Sequence, residues 1–123
     1  MKFTLYGNPK GKKNSMQIIT IKGKPSLIQG KEYRQYETEC LKQITGKYKL
    51  HIDYPVNIKA VFYRDSNRRC DITNLLSALH DILVKAGVIA DDNFKIVVSV
   101  DGSKVLVDKD NPRTEIEIEE VTE

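Results

Sequence analysis

The chain has 123 residues, 40% of them hydrophobic and 30% charged. That suits one domain with its own core over residues 1–123 and excludes two full-sized domains or a disordered chain. The net charge of +3 is small, but residues 1–50 carry eleven lysines and arginines against three acids, and the remainder carries nine against fourteen, so a basic half precedes an acidic one. No apolar run approaches the roughly 20 residues of a membrane-spanning helix, and MKFTLYGNPKGKK lacks the apolar core of a secretory signal, so a cytoplasmic protein without membrane attachment is expected.

In chain order, MKFTLYG predicts a first strand ending at Gly7 and Pro9, and NPKGKKNS a polar loop whose Lys10, Lys12 and Lys13 are candidates for contacting phosphates. MQIITIKGKPSLIQ predicts a hairpin about KGKP. KEYRQYETECLKQITG predicts a helix, with Tyr33, Tyr36, Cys40, Leu41 and Ile44 at helical spacing and Gly46 as its stop. PVNIKAVFYRD alternates as a strand, and SNRR follows as a basic turn. After a second helix, FKIVVSVDGSKVLVD predicts two strands about an Asp101–Gly102 turn. RTEIEIEEV alternates strictly as a last strand with one acidic face, suited to an edge kept soluble by its glutamates or to an interface. Strand groups separated by helices predict an α+β fold, a sheet with two main helices packed on one face.

The second helix is the most informative element. In DITNLLSALHDILVKAG, Ile72, Leu75, Leu76, Leu79, Ile82, Leu83 and Ala86 form an apolar stripe. Asp71, Asn74, Ala78, Asp81 and Lys85 line one flank of it, and Thr73, Ser77, His80 and Val84 the other. Asp71 suits an N-cap and Gly87 a C-terminal stop. Taken singly, each acid has an ordinary explanation: a cap for Asp71, an i,i+4 pair with Lys85 for Asp81, and turn chemistry for Asp91–Asp92–Asn93.

Together they allow a second reading. Arg68 and Arg69, a helix entering at Asp71, Asp81 on its flank and a return loop with Asp91 and Asp92 bring carboxylates and guanidiniums towards one site. Hard cations such as Mg²⁺ take oxygen ligands, often one or two carboxylates completed by phosphate and water. Such an ion lets acids sit against a phosphodiester and supports its cleavage, while arginines grip the flanking phosphates. Cys40, Cys70, His51 and His80 have no zinc-site spacing. His80 is on the helix surface, where solvation is its ordinary role.

The segment RRCDITNLLSALHDILVKAGVIADDN resembles the RusA-type Holliday-junction resolvases, whose signature is a basic loop, an Asp-x-Asp-Asn helix start, an Asp-Ala-Leu-like segment and a Gly-then-Asp-Asp return. YGNPKGKK and KEYRQYE are similar to the family's opening loop and first helix. The resemblance implies one endonuclease domain with a two-layer mixed sheet, acting as a homodimer that holds a four-way DNA junction and makes paired, Mg²⁺- or Mn²⁺-dependent nicks in recombination and repair. It implies Asp71, Asn74 and Asp92 as catalytic positions, Asp71, Asp81 and Asp92 as metal ligands, and Lys10, Lys12, Lys13, Arg68 and Arg69 as the DNA surface. Two positions depart from the pattern: Thr73 stands where a second metal-binding aspartate is expected, and Ser77 where a lysine is expected. Two accounts follow, a nuclease using the Asp71–Asn74–Asp81 flank, or a noncatalytic module that binds branched DNA.

Overall fold

A computed structural model describes residues 1–12 and 16–122, with the side chains of 16–19 and 26–29 left aside. The elements run β1 (Lys2–Tyr6), β2 (Met16–Ile21), β3 (Lys24–Gln29), α1 (Lys31–Gln43), a short 3-10 turn (Gly46–Tyr48), β4 (Val56–Arg64), α2 (Ile72–Ala86), β5 (Val97–Ser99), β6 (Lys104–Val107) and β7 (Arg113–Glu120). The fold is α+β. Its main sheet is mixed, in the order β1–β7–β4, with β5 and β6 both on the far edge of β4, while β2 and β3 form a separate two-stranded sheet.

The alternating patterns place the core on one face of this sheet. Ile58, Ala60 and Phe62 of β4 lie opposite Ile118, Ile116 and Thr114 of β7, and Leu5 of β1 lies opposite Thr114. Thr114 is buried, and the apolar side chains among these lie in one cluster with Tyr33, Tyr36 and Cys40 of α1 and with Leu75, Leu79, Ile82 and Leu83 of α2. Both helices therefore cover the same face. α1 ends at Gln43, earlier than the expected Gly46 stop, with Ile44 turning out of the helix and into the core. Gly87 does end α2 as expected: its φ of 79° lies in the left-handed region, and its N–H reaches back to the carbonyls of Leu83 and Val84.

Three points differ from the sequence expectations or add to them. First, two strands do flank the Asp101–Gly102 turn as expected, but β5 and β6 do not pair with each other as a hairpin. Both run parallel to β4, at Val56↔Val97 and from Val61↔Lys104 to Arg64↔Val107, with α2 supplying the crossover that parallel pairing needs. A two-residue type I′ turn needs φ > 0 at both central residues, and of Asp101 and Gly102 only Gly102 has it. The detour between the strands is instead held by Asn57, whose Oδ1 accepts the Asp101 N–H at 2.8 Å and the Ser99 hydroxyl at 2.6 Å, and by Ser103, whose Oγ accepts the Ala60 N–H at 3.0 Å. Secondly, β7 is no edge. It lies between β1 and β4, and its outward Glu117 faces Lys59 across the pair and Lys2 at 3.7 Å, so opposite charge on both neighbours neutralises the acidic face.

The third point concerns α2. Its buried face is rotated from the apolar stripe: Asn74 and Ala78 are buried, while Ile72 and Leu76 are only partly so. The flank of Asn74, Ala78, Asp81 and Lys85 faces α1, where Lys85 pairs with Glu37 at 2.8 Å and not with Asp81. The glutamate thus ties the helices together, and its other oxygen accepts the Tyr33 hydroxyl at 3.2 Å. Burial, and next to it the Glu37 charge, hold Tyr33 ionisation well above its usual value.

Candidate nucleic-acid interface and carboxylate site

Two loops meet above the N-terminus of α2. One follows β1 and holds Asn8 to Lys12; the other follows β4 and holds Asp65 to Cys70. The Asn8 side chain links them, accepting the Asp65 N–H at 2.9 Å. Between them lies a cleft of about 450 Å³ lined by Lys10, Arg64, Arg68 and Arg69, with Glu32 and Cys70 on its wall. Four cations against one acid give the cleft a positive field that draws anions inward. Lys10 is 3.7 Å from Glu32, a pairing across a partly exposed rim that salt and a competing phosphate would readily replace.

Arg64 was not a sequence candidate. It is the last residue of β4, where the alternation of VFYR reads it as an ordinary strand end; its place two residues before SNRR, with Asp65 between, was the available signal. Its guanidinium donates from Nη1 to the Arg68 carbonyl, bracing the loop that carries Arg68 and Arg69, and its Nε is buried with no hydrogen-bond partner among the described residues. Lys13 lies outside the described residues.

The Lys10–Lys12 loop is seated directly on α2. Gly11 packs against Asn74 so closely that a Cβ there would overlap the Asn74 carboxamide. Lys12 pairs with Asp81, and its ammonium sits 5.8 Å from the centre of the Tyr33 ring. Asn74 and Asp81 therefore serve to hold the basic loop. Asp71 and Asp81 are also ten residues apart on one helix, about 15 Å at 1.5 Å per residue, too far for two aspartate side chains with metal–oxygen bonds of about 2 Å to share an ion. On this spacing Asp81 does not share an ion with Asp71.

Asp71 and Asp92 remain. Asp71 occupies the N-cap position but makes no side-chain capping bond; only its backbone carbonyl, accepting the N–H groups of Asn74 and Leu75, takes part in the helix start. Its exposed carboxylate is left directed to solvent beside the arginine loop. In the return loop the two acids divide the work. Asp91 accepts the Asp92 N–H at 2.8 Å and the Asn93 amide at 3.0 Å, and these bonds, the Asn93 one first, hold its carboxyl below the usual range. Asp92 is exposed and its charge reaches His80, raising an imidazole pKa that burial lowers overall. The buried Nε2 of His80 has no hydrogen-bond partner among the described residues.

Among the described residues no group of three or more His, Cys, Asp or Glu is arranged to hold a metal ion. Asp71 and Asp92 are each a hard carboxylate, the ligand type that Mg²⁺ or Mn²⁺ takes when phosphate and water complete the shell. No described helix is long and apolar enough to cross a membrane.

A family model described as endodeoxyribonuclease RusA matches residues 7–119. The match spans both loops, both helices and the strands from β2 to β7 up to residue 119, and begins just after β1. The fold and this match define the class, a nuclease-type α+β protein with a basic cleft at the head of a helix. The chain belongs to the RusA endodeoxyribonuclease family. No curated protein sequence matches it.

Proposed function

We propose that the chain is a structure-selective endodeoxyribonuclease that binds four-way DNA junctions and resolves them by paired nicks during recombination and repair, working as one domain in each half of a homodimer. The observation that carries this reading is the juxtaposition of the cleft of Lys10, Arg64, Arg68 and Arg69 with the uncommitted Asp71 carboxylate at the head of α2. Within the reading, the guanidiniums of Arg68 and Arg69 clamp phosphates on either side of the scissile bond, with Arg64 holding their loop. Asp71 and Asp92 would hold Mg²⁺ or Mn²⁺, which when bound activates a water and offsets the charge gathering at phosphorus. Asn74 acts through position, by seating Gly11 and with it the lysine loop. A two-fold arrangement of two such sites suits the symmetry of a four-way junction.

A second reading has its own observation. Thr73 and Ser77 replace an acid and a cation of the family pattern, and Asp81 is neutralised by Lys12, so the carboxylate set is thin. On this reading the chain binds branched DNA without cutting it. Binding and nicking of a synthetic four-way junction, each followed with and without divalent metal, separates the two.

A further inference from the structure

We propose that the β2–β3 hairpin is a second DNA-contacting element, a basic ribbon that extends the cleft along the backbone of one duplex arm. The inference rests on the DNA-binding reading above and adds a surface which that reading does not use.

Charge comes first. From Met1 to Lys31 there is no acidic residue; the first is Glu32. The hairpin itself carries two charged residues, Lys22 and Lys24, both at its tip. Every residue from Thr20 to Pro25 is exposed. Neither strand joins the main sheet, and their extensive packing is on each other. A lone two-stranded ribbon gains little stability by itself.

The turn adds an independent observation. Ile21 pairs with Lys24, leaving Lys22 and Gly23 as the central residues, with φ of 51° and 79°. This is the type I′ pattern, which favours Asn-Gly or Asp-Gly. Lysine is a poor choice for a left-handed backbone, whereas Asn would relieve it. An ammonium is retained where the backbone disfavours it, which points to a use for the charge outside the fold.

Position completes the argument. The chain reaches the hairpin just after Lys12 and leaves it through Gly30 into Lys31 and Glu32, and Lys10 and Glu32 line the basic cleft. The base of the hairpin thus lies at the cleft. Strands of six residues at about 3.4 Å each carry the tip roughly 20 Å away, a distance over which duplex DNA presents on the order of twelve phosphate charges. A two-stranded ribbon also fits the width of a major groove.

The test is the double variant Lys22→Asn, Lys24→Gln, which removes both charges while giving the turn its preferred residue, so weakened binding cannot be assigned to a broken hairpin. Junction affinity is measured across a salt series for this variant, for Arg68→Ala and for the unaltered chain, with sedimentation of each. The expected result is a dissociation constant raised about ten-fold at moderate salt, a salt slope shallower by about two, and unchanged sedimentation. Unaltered affinity and slope in the hairpin variant, with Arg68→Ala weakened, would overturn the hairpin proposal and leave the junction-binding reading standing. A changed sedimentation with unaltered DNA binding would overturn it in favour of self-association through the hairpin. No binding by the unaltered chain would overturn both.

Discussion

The ammonium of Lys12 pairs with the carboxylate of Asp81, 69 residues further along the chain, and this contact pins the basic loop to the flank of α2. Lys12 and Asp81 are 27% and 35% exposed, between a surface pair and a buried one. Asp81→Asn is expected to lower stability by about 1 kcal/mol, near the top of the range for exposed pairs, which is a fall of about 4 °C in Tm. Metal-dependent nicking should persist, because Asp81 lies too far from Asp71 to share its ion. Thermal unfolding and a nicking assay read the two effects, and loss of nicking with unchanged Tm would restore Asp81 as a ligand.

Gly11 is a position where size alone is decisive. Gly11→Ala forces a Cβ into the Asn74 carboxamide and should lift the Lys10–Lys12 loop, costing about 1–3 kcal/mol as an overpacked contact and weakening junction binding. Adding Asn74→Ala makes room, so the double variant should recover part of the loss. A double-mutant cycle reads this coupling directly, and strict additivity would contradict the packing.

Stability should depend on pH through His80. Burial lowers its folded-state pKa below the usual value of about 6.5, with Asp92 and then Asp81 opposing the shift. The unfolded chain therefore takes up a proton first. The contribution to stability is complete above about pH 6.5 and is lost as pH falls from there through the lower folded pKa. Denaturation midpoints of the unaltered chain and of His80→Gln, compared from pH 8 to 5, should converge as the solution is acidified.

The two thiols should be distinguishable. Cys40 is buried in the core and burial pushes its pKa up to about 11, so roughly a thousandth of it is thiolate at pH 8. Cys70 is partly exposed on the wall of the basic cleft. A chromogenic disulfide should titrate one thiol in the folded protein and two after denaturation, with junction DNA slowing the reaction of Cys70. Equal labelling rates with and without DNA would remove the cleft from the binding surface.

Much of the fold was legible because its signals are local. The alternation of β4 and β7, the helical spacing of Tyr33, Tyr36 and Cys40, and the Gly87 stop each follow from neighbours within a few residues. What sequence reasoning missed depends on partners far along the chain. Whether β5 and β6 pair with each other or with β4 is decided by the edge that α2 delivers them to and by Asn57 and Ser103. Whether Asn74 and Asp81 face a site or a packing partner is decided by Gly11 and Lys12, more than sixty residues earlier. The arginine loop and Asp71 could be picked out as a candidate site; the bracing role of Arg64 needed the β4 end and the loop to be seen together.

The most direct test of the account is nicking of a synthetic four-way junction by the purified chain with Mg²⁺, Mn²⁺ or a chelator, alongside Asp71→Asn and Asp92→Asn. The account predicts paired nicks that need the metal, fall by at least about 100-fold in either variant, and leave junction retardation intact. Retardation without nicks in either metal would contradict it and make the chain a junction-binding protein without the chemistry of its family.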